Sequence, residues 1–169
     1  MLKPDALKSS LRSCGYRPNL LRSDFAFGDG QTIPLVGFAQ FPTDSRSACV
    51  VVLSENAEPR KSVEACRPIG APLVFVCFQD NLQWWKQGRD SAEWLENVPV
   101  AHLDNFFLAH QDKFSPEAIY RAKTLGRVRS EYQLDFVDIG MMPLLEEEVG
   151  TALRQPVEID LPAVWLAEL

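Results

Sequence analysis

Two stretches of the chain carry apolar residues with almost no polar interruption, Ala48-Cys49-Val50-Val51-Val52-Leu53 and Pro72-Leu73-Val74-Phe75-Val76-Cys77-Phe78. Runs of this length and β-branched content predict strands in a sheet covered on both faces. Residues 59–67 between them are polar, with Val63 and Cys66 at helical spacing. A strand, a helix and a second apolar strand predict a right-handed crossover between parallel neighbours.

The flanking patterns extend this unit. Leu7 and Leu11 stand four apart within residues 4–14, and Gly15 supplies a stop, so the chain opens on a helix. Residues 19–27 alternate weakly, and Gly28-Asp29-Gly30 turns them into a strand over 33–41. Pro42-Thr43-Asp44-Ser45-Arg46 reverses the chain into the run at Ala48, completing a three-strand meander. After the crossover, Gln79-Asp80-Asn81 leads to a strand over 82–86, whose Trp84 and Trp85 point to opposite faces. Downstream the pattern predicts helices and no more strands. Val100, Leu103 and Phe107 share a face that Phe106 broadens. Ser115-Pro116-Glu117 is a capped helix start, with Ile119, Ala122 and Leu125 as its buried stripe before a stop at Gly126. A further helix is expected from Met141 or Pro143 towards Arg154, with Leu144, Leu145 and Val149 inward. The expected organisation is one α/β domain over 1–155 and a tail over 156–169, whose apolar uncapped end reads as the start of a truncated helix.

A length of 169 residues suits one domain with its own core, and 46% apolar with 24% charged residues excludes disordered and fibrous classes. The net charge of −6 means that any contact with nucleic acid has to use a local basic patch. Cys14, Cys49, Cys66 and Cys77 have no Cys-x-x-Cys spacing, and His102 and His110 do not complete a zinc signature, so no metal site is expected. Free buried thiols, no signal-peptide core and no membrane-length apolar run predict a cytoplasmic protein.

An order of helix, three-strand meander, crossover helix and parallel strand is shared by restriction-endonuclease-like folds, and that core with C-terminal helices is the expected architecture. A metal-dependent nuclease of that kind needs an acid on the second meander strand and an acid-x-lysine triplet on the third, because Mg²⁺ requires hard oxygen ligands held rigidly. Neither strand here carries a carboxylate. The nearest acids, Asp29, Asp44 and Glu55, fall in turns, which leaves a displaced Mg²⁺ site of Asp44 and Glu55 with Lys61 as the nuclease alternative. Phosphate-binding glycine loops and Gly-x-Ser-x-Gly elbows are absent, and Cys49 and Cys77 lie where a thiolate is disfavoured. The one basic cluster, Tyr120, Arg121, Lys123, Arg127 and Arg129, is the candidate nucleic-acid contact. Arg121 and Lys123 flank the apolar stripe on opposite sides, so the alternative is cations offsetting the helix C-terminus and pairing with Glu117 and Glu131.

Several strings together carry a resemblance: Leu21-Arg22-Ser23-Asp24-Phe25 with Gly28-Asp29-Gly30, residues 33–39, residues 70–78, Trp84-Trp85-Lys86, and residues 114–123. They resemble the N-terminal region of bacterial N-6 adenine DNA methylases of restriction-modification or phage-defence systems. The chain is also similar to a worn-down N-terminal nuclease domain of type I restriction subunits. The likeness runs from Leu2 to about Val149. The nuclease family's acidic positions correspond to Leu35 and the 51–53 region, and the methylase Asn-Pro-Pro-Tyr or Asp-Pro-Pro-Tyr motif and glycine motif are absent. The resemblance therefore implies a non-catalytic accessory domain without cofactor, which binds duplex DNA or a methyltransferase domain or subunit. The displaced-ligand nuclease and a structural assembly module without nucleic-acid contact stay open beside it.

Overall fold

Strand β3 (Ala48–Ser54) is buried at every position except Ser54, and it lies in the middle of a six-stranded mixed sheet. The computed structural model describes residues 1–132 apart from Asp29, 55–57 and 89–90, with side chains as far as Gly126. The expected helix towards Arg154, the tail over 156–169 and the domain limit at 155 lie outside the described residues.

Strands β1 (Leu21–Phe27), β2 (Gln31–Phe38), β3, β4 (Leu73–Phe78), β5 (Asn81–Gln87) and β6 (Ala92–Pro99) follow in the sheet in chain order. Each neighbouring pair is antiparallel except β3 and β4, which run parallel with Val50 opposite Leu73 and Val52 opposite Phe75. Helix α2 (Pro59–Ala65) makes the crossover between them and buries Val63, as the apolar runs predicted. Alternation along the strands divides the core. Leu35, Val50, Val52 and Phe75 face α1 (Lys8–Ser13), α3 (Leu103–Ala109) and α4 (Pro116–Tyr132), whereas Val36, Val51, Val74 and Trp85 face α2. A sheet covered on both faces has no use for polar side chains in its central strands.

Phe75 anchors the two later helices, meeting Phe107 and Phe114 edge-on at 5.4 Å between ring centroids in both cases. Edge-to-face aromatic packing adds about 1 kcal/mol per pair to the area buried. The Ser115 hydroxyl accepts a hydrogen bond from the Ala118 N–H at 3.2 Å, the cap expected from Ser115-Pro116. Ile119, Ala122 and Leu125 are buried below it.

Three expectations need correction. Residues 92–99 form a strand: β6 is an edge whose pattern buries only Ala92 and Val98 deeply, so the alternation is too diluted to see. Helix α4 continues through Gly126 to Tyr132, since glycine weakens a helix by about 1 kcal/mol without ending it. Val100 is 44% exposed in a 3₁₀ turn ahead of α3 and does not share the face of Leu103 and Phe107. Among the described residues, no helix is long and apolar enough to cross a membrane.

Candidate nucleic-acid interface

Gly15, with φ +109°, turns the chain sharply after α1 and delivers Tyr16 to the sheet. The Tyr16 ring lies against the bare Cα of Gly37 on β2, which brings Arg17 and the following 3₁₀ turn (Pro18–Leu20) beside the end of that strand. Helix α4 starts on the other side. Between them is an open cleft of about 650 Å³, lined by Arg17, Asn19, Gln40, Phe41, Tyr120 and Arg121 among others.

The cleft combines cations with an uncovered aromatic ring. Phe41 is 57% exposed, and the Arg22 guanidinium from β1 stands 6.0 Å from its ring centroid. Gln40 Nε2 donates to the Tyr120 hydroxyl at 3.1 Å, bridging the end of β2 to α4. Arg121 Nη2 lies 3.1 Å from Glu117 Oε1, one helical turn away in solvent, a pair worth a few tenths of a kcal/mol that an incoming anion can displace. Guanidinium groups hold phosphate bidentately, and exposed rings offer stacking platforms to bases.

The structure separates the predicted basic cluster. Tyr120 and Arg121 line the cleft. Lys123 turns inward, and its Nζ donates to the carbonyls of Ser45 at 2.7 Å and Ala48 at 2.8 Å, fastening α4 to the β2–β3 turn. Burial pushes its ammonium down to about 8, with the Cys49 thiol and the Asp44 carboxylate pulling the other way. The side chains of Arg127 and Arg129 lie outside the described residues. Arg17, Arg22, Asn19, Gln40 and Phe41 went unnoticed in the sequence, and Phe41 at the end of a strand pattern looks like another core residue.

For the nuclease alternative, Asp44 and Lys61 occupy opposite ends of β3, roughly 20 Å apart at the rise of a seven-residue strand. Asp44 Oδ1 accepts from the Arg46 N–H at 2.9 Å, stabilising its own turn. Lys61 pairs with Glu58 at 3.6 Å in solvent, and Glu55 lies outside the described residues. Leu35, Val51 and Val52, which the sequence resemblance sets against a nuclease's acidic positions, are fully buried. Among the described residues, no three His, Cys, Asp or Glu side chains gather as a metal site. Burial raises the thiols of Cys49, Cys66 and Cys77 to about 12 and Cys14 to about 11, which keeps them protonated and poorly nucleophilic. No protein-family model matches the chain, and no curated protein or solved structure matches it.

Proposed function

We propose that the chain is a non-catalytic accessory domain of a DNA-modifying or phage-defence system, and that it contacts nucleic acid through the cleft between the end of β2 and the start of α4. The observation that carries this reading is the convergence of Arg17, Arg121 and the exposed Phe41 on one concavity of a protein whose net charge is −6. An acidic chain that groups guanidinium side chains around an uncovered ring provides the local patch that phosphate binding requires. The order of helix, meander, crossover helix and parallel strand supports a restriction-endonuclease-like ancestry, and the apolar character of Leu35, Val51 and Val52 supports the loss of its chemistry. A methyltransferase domain or subunit is the partner that the sequence resemblance implies.

Fluorescence anisotropy with labelled duplex and single-stranded oligonucleotides at increasing salt tests the proposal. Binding should be weak and insensitive to sequence. The Arg17→Ala, Arg121→Ala double variant should lower affinity about tenfold or more and reduce the log–log salt slope by about 2. Affinity unchanged in the double variant would remove the cleft from the interface, and no binding at low salt would leave the structural assembly module in its place.

A further inference from the structure

Lys123 sits in surroundings unlike those of an ordinary surface lysine. It is half-buried, and both of its hydrogen-bond acceptors are backbone carbonyls, Ser45 O and Ala48 O. Among the described residues no carboxylate forms an ion pair with it. On a further side stands Gly70, in the left-handed region at φ +77°, where a Cβ would come within 3.8 Å of Nζ. That is ordinary contact; the positive φ is what favours glycine here, and a Cβ would press instead on Ser45 O at 3.3 Å. The titratable groups acting on Lys123 are the Cys49 thiol on β3 and the Asp44 carboxylate in the turn, while Gly70 and Ala71 bring none.

The hydrogen-bond count has a chemical consequence. An ammonium has three N–H donors and a neutral amine has two, so the two carbonyls satisfy the neutral amine completely and leave its lone pair unused. We propose that Lys123 is an acyl-acceptor site, modified by small acyl phosphates. The amine nitrogen attacks the acyl carbon, and a C–N bond forms as the C–O bond to phosphate breaks. Phosphate leaves with the electron pair, and the proton lost from nitrogen passes to water. The resulting amide keeps one N–H for two carbonyls. Acylation therefore releases either Ser45 O or Ala48 O and loosens the turn that follows Gln40 and Phe41, a regulatory effect on the cleft that rests on the proposed function.

With the group lowered to about 8, roughly a quarter of Lys123 is neutral at pH 7.5, against about a thousandth for a lysine at 10.5. Lower basicity and partial burial reduce that advantage, and about tenfold faster acylation remains. The test treats the wild-type protein with substoichiometric acetyl phosphate between pH 6.5 and 9.5 and quantifies each lysine by peptide mass spectrometry. Lys123 should label about tenfold faster than the exposed Lys3 and Lys113 at pH 7.5, with a rate midpoint near pH 8, and the preference should vanish in urea. Labelling of Lys123 at or below the rate of those lysines overturns the site, as does a preference that persists in urea. Amide hydrogen exchange over residues 42–48 should quicken in the acylated protein, and unchanged exchange overturns the release of the turn while leaving the site to the labelling result.

Discussion

Gly37→Ala is a one-methyl change that the structure makes expensive. A Cβ at this position would lie 2.6 Å from Cγ1 of Val50, and 3.0 and 3.1 Å from Cδ1 and Cε1 of Tyr16. Val50 is the register partner of Gly37 on β3 and is fully buried, and Tyr16 is only 2% exposed. A β-branched side chain between a sheet and a helix layer cannot rotate away cheaply. Overpacking of this kind costs about 1–3 kcal/mol, and a contact below 3.0 Å places it towards the upper end. Alanine is at ease in this extended backbone and removes some freedom from the unfolded chain, which returns about 0.5 kcal/mol. The net expectation is a loss of about 2 kcal/mol. Val50→Ala alone should cost about 2 kcal/mol through lost burial and a cavity, and the added methyl of the double variant should fill part of that cavity. Urea unfolding followed by tryptophan fluorescence on the wild type, both single variants and the double variant gives the coupling directly. A favourable coupling of at least about 1 kcal/mol is expected; strictly additive losses would refute the steric account. Because Tyr16 is followed directly by Arg17, Gly37→Ala should also weaken oligonucleotide binding, and Val50→Ala should partly restore it.

Two further outcomes follow from buried ionisable groups and from the absence of carboxylates on β2 and β3. The thiols raised to about 11 or 12 from 9.0 ionise first in the unfolded chain, so the stability they carry is present below pH 9 and is lost as pH rises towards 12. Lys123, lowered to about 8 from 10.5, acts in the opposite sense and adds stability between those values, as the unfolded chain then holds more protons. The two nearly cancel near pH 9, at about 1–2 kcal/mol each, and by pH 10 the thiols exceed the lysine by about 3 kcal/mol. Urea midpoints should thus stay level to about pH 9 and drop sharply above it, and a midpoint still level at pH 10 would contradict this balance. Supercoiled plasmid and single-stranded DNA should remain uncut in Mg²⁺ or Mn²⁺. Cleavage that disappears in an Asp44→Ala, Glu55→Ala variant would instead establish the displaced-ligand nuclease.

The central strands and the crossover were legible in the sequence because burial on both faces leaves runs such as Val50-Val51-Val52 without polar interruption. The start of α4 was legible because capping is local chemistry, contained in Ser115-Pro116-Glu117. Strand β6 was not, since an edge strand with Trp94 exposed and Ala92 and Val98 inward has no clear period. The cleft was half legible: Tyr120 and Arg121 stood out as a cluster on one helix, while Arg17 and Phe41 arrive from segments about a hundred and about eighty residues earlier in the chain. Lys123 looked like a member of that cluster because its acceptors are main-chain carbonyls, which have no signature in the residue sequence.

Strand order in the sheet is strand order in the chain, so four of the five pairings join consecutive strands through reversals that bring little of the chain together. Closing a short loop is cheap in entropy and fast, and β1 to β3 and β4 to β6 can each zip up as a local meander. The seam between them is different. Val50–Ser54 must find Leu73–Cys77 across the whole crossover, in parallel, with mostly aliphatic side chains on both sides to choose among registers. A slip of one residue by either strand would carry that strand's Val51 or Val74 from the α2 face to the α4 face. Crossover helix α2, which presents the buried Val63 to one face only, makes that slip costly, so the register of the seam depends on how a seven-residue helix docks.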